Sequence, residues 1–113
     1  MEHRGVVKSG EVISVKVKNR ENENLGEIAE LVIDKQSGKV SYLVLDFGGF
    51  LGFGNKFFAV PWSFFSYNNE EDCFILNIDK QRLKDAPGFD KDHWPNFSKP
   101  EITTSITGFY SGV

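Results

Sequence analysis

The stretch from Phe47 to Phe65, FGGFLGFGNKFFAVPWSFF, constrains the fold more than any other part of the sequence. It holds seven of the eleven phenylalanines and four of the eleven glycines of the chain. Glycine permits positive φ angles and sharp bends, whereas large aromatic side chains normally fill a core or an interface. The stretch therefore predicts a glycine-permitted bend between two strands, with phenylalanines projecting in unusual directions.

Composition limits the number of domains, the kind of partner and the cellular compartment. With 113 residues, of which 40% are hydrophobic, the chain fits one domain that buries roughly 65% of its unfolded surface. The net charge of -3 disfavours nucleic acid as a partner. The single cysteine, Cys73, and the lack of an apolar leader point to a reducing, cytoplasmic compartment. Apolar runs stop well short of the ~18 residues of a membrane span, so none is expected.

Alternating β-branched and polar residues predict a series of short strands. They lie near 11–18, 25–34, 39–47, 57–61 and 72–78. The second is ambiguous, because Leu25, Ile28, Ala29 and Val32 fit a helical period. The turn-type sequence that begins at Asp34 favours a strand. Pro61, which has no backbone N–H, is expected to end the fourth strand.

The chain changes character after the last predicted strand. Asp79 is a good N-cap for a short helix near 80–86, which Pro87-Gly88 would end. Residues 1–10 are expected to form an N-terminal arm, 11–94 the domain, and 95–113 an irregular C-terminal extension whose last part, 102–113, is either a strand or a loose tail. The expected fold is all-β: a small antiparallel barrel, or a strongly curled sheet, of five to six strands with one short helix.

Several motifs, in this order and spacing, resemble the PRC-barrel domain family. They are Leu25-Gly26-Glu27-Ile28, Val32-Ile33-Asp34, Ser37-Gly38-Lys39-Val40, Tyr42-Leu43-Val44-Leu45, the glycine-rich run from Gly48 to Lys56, Ala59-Val60-Pro61-Trp62 and Ala86-Pro87-Gly88-Phe89. The resemblance covers about Gly10 to Trp94. The family is named after the cytoplasmic part of the photosynthetic reaction centre H subunit and includes a ribosome maturation factor.

The resemblance implies a free-standing, single-domain member, a group with no agreed catalytic residues. The membrane helix that precedes the barrel of the H subunit is not found here, and neither is the second barrel of the ribosome factor. Docking onto a reaction centre is therefore not implied, and RNA or ribosome association stays only as an alternative inherited from the family.

The residues themselves predict no catalytic, cofactor or metal site. Gly52-x-Gly54 has Phe57 where a dinucleotide loop needs a third glycine, and a strand follows instead of a helix. His3 and His93 are the only histidines, and neither is placed beside Cys73 as a base or a metal ligand. The expected role of the acidic residues is a solvated face, since their spacing matches no hard-cation loop, and a weak oxygen-ligand metal site is the alternative; they are Glu21, Glu23, Glu27, Glu30 and Asp34. We therefore expect a protein that is not an enzyme and has no cofactor.

The expected function is a protein-interaction or scaffold module that forms a homodimer and has an unknown protein partner. Exposed aromatic patches on small domains usually mark such sites. The predicted interface residues are Phe50, Leu51, Phe53, Phe109 and Tyr110. The predicted structural signature is Gly48, Gly49, Gly52, Gly54, Pro61, Trp62, Pro87, Gly88 and Trp94. A small-molecule-binding or weakly catalytic barrel is the alternative, and it requires a concave pocket with converging polar groups.

Overall fold

The computed structural model describes residues 7–49 and 55–112, and within these ranges it contains one six-stranded sheet. The strands are β1 (Lys16–Lys18), β2 (Asn24–Ile33), β3 (Val40–Gly49), β4 (Asn55–Pro61), β5 (Phe65–Asn68) and β6 (Cys73–Leu76). Their order in the sheet is β4-β3-β2-β1-β6-β5. The sheet curls into a half-barrel, which confirms the expected small all-β fold. One pair departs from the expected antiparallel pattern, since β6 lies parallel to β1.

The predicted strand at 11–18 is largely wrong, because only Lys16–Lys18 forms a regular strand. Residues Ser9–Glu11 form a 3-10 turn instead. Ser14 has a positive φ of 71°, which breaks the extended conformation that the alternation implied. The N–H of Ser14 nevertheless donates to the Ile28 carbonyl at 2.7 Å, so the segment stays fixed to β2.

The ambiguous second segment is a strand, and a glycine sets its geometry. Gly26 has a φ of 130°, and a Cβ built there would lie 2.0 Å from the backbone oxygen of Asp46 in β3. Only glycine permits so close an approach of the two strands. The β2–β3 turn is closed by Asp34, whose Oδ1 accepts from the N–H groups of Gln36 and Ser37 at 2.8 and 3.2 Å.

Beyond β4, the chain makes a 3-10 turn, Trp62–Phe64, and enters β5. The sequence did not predict β5, because four residues give too little alternation to stand out from the flanking turns. The last strand is shorter than the predicted 72–78 and covers Cys73–Leu76. Asp72, in the turn before it, has a positive φ of 52° and so lies outside the extended ladder.

The helices differ from the expectation in length and number. The first, α1 (Lys80–Leu83), begins at the predicted N-cap, where Asp79 Oδ1 accepts from the N–H of Gln81 at 2.8 Å, but it ends three residues before 86. The second, α2 (Pro100–Ser111), replaces the predicted irregular extension. Its threonines and isoleucines lower intrinsic helix propensity, so the run read as a strand or loose tail. Packing against the sheet stabilises the helix instead, because Ile106 is buried and Ile102 half-buried on the face of α2 that packs against β4.

Candidate functional site

The glycine-rich segment connects the end of β3 to β4. Gly48 has a φ of 86°, and its N–H donates to Asp46 Oδ1 at 2.9 Å, so the backbone bends there in a conformation that favours glycine. On β4, Phe58 is fully buried while Phe57 is half-buried. The predicted interface residues Phe50, Leu51 and Phe53, and the signature residues Gly52 and Gly54, lie outside the described residues.

An aromatic cluster, here the Trp94 surface (Phe57, Phe89 and Trp94), lies where the segment that follows α1 (residues 84–99) meets β4. Phe57 and Phe89 exchange two backbone hydrogen bonds with N to O distances of 2.8 and 2.9 Å. The ring of Trp94 lies 4.8 Å from that of Phe89 and 5.9 Å from that of Phe57, between centroids. Trp94 is still 42% exposed. The segment that follows α1 therefore continues the sheet by one bridge beyond β4 and holds a tryptophan at the surface.

Gly88, which the sequence placed in the structural signature, makes this approach possible. A Cβ there would lie 2.8 Å from Lys56 Cε and 2.9 Å from Phe58 Cε1. Any side chain at this position would push the segment that follows α1 away from β4. Pro87, immediately before it, follows the end of the α1 region and is exposed.

A second aromatic cluster, here the β5 edge (Trp62, Phe65 and Tyr67), surrounds Phe74 of β6. The three rings lie 6.1, 5.7 and 5.1 Å from the Phe74 ring, all in edge-to-face geometry. Trp62 is 42% exposed. The Tyr67 hydroxyl donates to Asp72 Oδ1 at 3.1 Å. Burial, followed by this bond to Asp72, raises the pKa of Tyr67 to about 12, so the hydroxyl stays protonated.

The two predicted interface residues on α2 have different surroundings. Phe109 is half-buried, with the guanidinium carbon of Arg82 4.5 Å above its ring centre. Tyr110 is 1% exposed and packs against Phe64, so it offers no surface to a partner, and its place in the predicted interface is wrong. Burial raises the pKa of Tyr110, and no residue in the described ranges hydrogen-bonds its hydroxyl.

The residues weighed as nucleophile and base have structural surroundings. Cys73 is 2% exposed, and burial, with the nearby Glu71 carboxylate, raises the pKa of its thiol. A raised pKa leaves little of the reactive thiolate. His93 Nδ1 lies 2.6 Å from Asp90 Oδ1 in the exposed segment that follows α1, and that hydrogen bond raises the pKa of His93 and lowers the pKa of Asp90.

The acidic residues of the β1–β2 and β2–β3 connections form hydrogen bonds within their own loops. Glu23 Oε1 accepts from Asn19 Nδ2 at 2.7 Å, and the hydrogen bonds from Ser37 and Gln36 lower the pKa of Asp34. In residues 7–49 and 55–112, no three histidine, cysteine or carboxylate side chains come together as metal ligands.

Three concavities bear on the small-molecule alternative. The first, about 520 Å³, lies between the β2–β3 turn and residues 97–103 and is lined by Asp34, Tyr42 and Thr103 among others. Hydrogen bonds from the turn lower the pKa of the Asp34 carboxyl group. The small-molecule alternative, if catalytic, would be expected to hold an acid whose pKa is raised by burial. The second, about 190 Å³, is a mostly apolar crevice between α2 and residues 87–95. The third, about 430 Å³, lies between β1, β2, β3 and α1 and is lined by Lys16, Glu27, Asp46 and Lys80 among others.

Sequence reasoning missed Asn19, which is the one buried polar residue among those described. Its Nδ2 donates to Glu23 Oε1 at 2.7 Å and to the Ile78 carbonyl at 3.1 Å. Its Oδ1 accepts from the N–H groups of Glu21 and Glu23 at 3.1 and 2.9 Å. In an all-polar loop, nothing distinguished it from its neighbours.

Comparison with known families gives one match. A family model described as PRC-barrel domain matches residues 5–83, well over half of the chain. The matched range ends at the last residue of α1, so Phe89, Trp94 and α2 lie beyond it. No curated protein matches the chain. In the described ranges, neither helix has the length and apolar character needed to cross a bilayer.

Proposed function

This chain belongs to the PRC-barrel domain family, and we propose that it acts as a non-enzymatic protein-interaction or scaffold module that pairs with a second copy of itself. The observation that carries the proposal is the Trp94 surface, where a tryptophan remains 42% exposed on a domain of 113 residues. Tryptophan is enriched at the centres of protein interfaces, where it contributes much of the binding free energy.

The geometry of Trp94 suits this role. Its ring is already held against Phe57 and Phe89, so little side-chain freedom would be lost when a partner covers it. Phe57 is the third residue of β4. The predicted interface residues Phe50, Leu51 and Phe53 come shortly before β4 in the chain, and we propose that they extend the same interface. Phe109 stays in the proposal, whereas Tyr110 is withdrawn because it is buried.

Light scattering from micromolar to millimolar concentration tests self-pairing. The chain should give twice its mass of 12.8 kDa, and Trp94→Ser should shift the equilibrium to the single chain. Ile33→Ser is the matched control, because Ile33 is a large apolar residue that is 51% exposed at the far end of β2. Its mass should equal that of the wild type.

A second readout avoids any effect of Trp94→Ser on folding. In a Trp62→Phe variant, Trp94 is the sole tryptophan, and its emission should move to shorter wavelength as concentration rises and the ring leaves water. A mass of 12.8 kDa over the whole range, or emission that does not change with concentration, would overturn self-pairing through this surface.

A further inference from the structure

The two edge strands of the sheet, β4 and β5, differ in what pairs with their outer sides. β4 has β3 on one side and the Phe57–Phe89 bridge on the other. β5, at the opposite end, pairs only with β6 among the described strands. In an antiparallel pair, alternate residues bond to the neighbouring strand while the others direct N–H and C=O away from it. About half of the β5 backbone groups therefore point outward, and such rows are a template for another strand.

Aromatic side chains accompany these backbone groups. Trp62 is 42% exposed, and Phe65 and Tyr67 are half-buried, all three resting on Phe74. A strand added to an edge gains affinity from backbone hydrogen bonds and specificity from contacts to its alternate side chains. The β5 edge supplies both kinds of contact.

The charge at the end of β5 indicates what kind of strand would bind. β5 runs into a turn that carries Glu70, Glu71 and Asp72, all exposed. Asn68 Oδ1 accepts from the N–H groups of Glu70 and Glu71 at 2.9 and 3.1 Å, so the turn is held at this place. Glu71 bonds Lys18 at 3.3 Å and Asp72 accepts from the Tyr67 hydroxyl, so the negative charge that an incoming strand would meet is that of the exposed Glu70.

We propose that the β5 edge binds an extended segment of another protein, added as a further strand and carrying lysine or arginine at the end that reaches the acidic turn. The proposal rests on the interaction role proposed above but not on self-pairing. A second copy fits this edge less well, since a twofold β5–β5 pair would place the start of the partner's β5, which is uncharged, beside each acidic turn.

A phage-displayed library of random nonapeptides is the probe. Selected peptides should contain lysine or arginine near one end and allow an extended conformation without proline at alternate positions. By fluorescence anisotropy, Trp62→Ser should weaken their binding about tenfold or more, as for a hot-spot tryptophan. Glu70→Lys, an exposed change that leaves the core intact, should weaken it about threefold. Glu21→Lys, the same reversal in the β1–β2 loop, should leave it unchanged.

Amide hydrogen exchange distinguishes strand addition from side-chain contact alone. The outward-facing β5 amides should exchange at least about tenfold more slowly when peptide is bound, and those of α2 should not change. The proposal is overturned if no peptide is enriched, if enriched peptides lack positive charge, or if the β5 amides gain no protection. It is also overturned if the chain dimerises through this edge, shown by a doubled mass that Trp62→Ser abolishes and Trp94→Ser does not. If peptides bind and the chain remains a monomer at all concentrations, the proposed self-pairing is refuted and the β5 proposal is not.

Discussion

Replacing Asn19 with alanine tests whether one buried amide couples the β1–β2 loop to the chain after β6. Asn19 is 1% exposed and makes four side-chain hydrogen bonds. Three of them involve Glu21 and Glu23, which are exposed, so water can replace much of their free energy. The fourth reaches the carbonyl of Ile78, a residue only 3% exposed. A buried carbonyl that loses its donor costs about 1–3 kcal/mol, and the three loop bonds together add about 1 kcal/mol.

We therefore expect Asn19→Ala to lower the free energy of unfolding by about 3 kcal/mol, a large part of the total of a small domain. The assay is equilibrium unfolding in urea, followed by tryptophan fluorescence, with the slope m unchanged. Asn68→Ala is the matched control, because Asn68 Oδ1 also accepts two turn N–H groups but, within the described residues, its side chain has no bond to a buried carbonyl. It should cost about 1 kcal/mol. Equal losses for the two variants would refute the reasoning.

Two further predictions concern a glycine and a histidine. Gly26→Ala should cost about 3 kcal/mol or more, because it combines a φ of 130° with a contact of 2.0 Å to the oxygen of Asp46, whereas Gly108→Ala, on open surface in α2, should stabilise by about 0.5–1 kcal/mol in the same urea assay. The raised pKa of His93 means that its stabilising contribution is complete below its ordinary pKa of about 6.5 and is lost as pH rises through the folded-state value. The lowered pKa of Asp90 means that its contribution is lost as pH falls below the usual carboxyl range. In an NMR titration, Asp90→Asn should bring the pKa of His93 back down, and an unchanged titration would show that the pair does not form.

Local patterns predicted those parts of the fold that depend on neighbouring residues. The Asp79 cap and the turn at Asp34 were readable because a side chain bonds to a backbone N–H two or three residues away. The need for glycine at position 26 could not be predicted in this way. It arises because the backbone oxygen of Asp46, twenty residues later in the chain, lies close to Gly26, and no local sequence pattern indicates that contact.

The error in the prediction of the last segment has its cause in tertiary packing. The α2 segment has the composition of a strand, yet Ile106 and Tyr110 fall on one helical face that the sheet buries. For the candidate site, the sequence placed Trp62 and Trp94 in the structural signature, but their exposure depends on what β5 and the segment that follows α1 leave uncovered. Tyr110, an equally aromatic residue, was assigned to the surface and is buried.

The bridge between Phe57 and Phe89 has a consequence for polymerisation. A protomer with two open sheet edges can join further copies at both ends and grow into a filament, as a bifunctional monomer does. Within the described ranges, the two hydrogen bonds of Phe89 occupy the outer side of β4 at Phe57, in the middle of the strand, and so interrupt its row of outward-facing backbone groups. The bridge therefore makes β4 a poorer template for another strand than β5, and growth at both ends of the sheet is disfavoured. A bulky residue at position 88, which would displace the bridge, should leave the outer side of β4 more open to another strand.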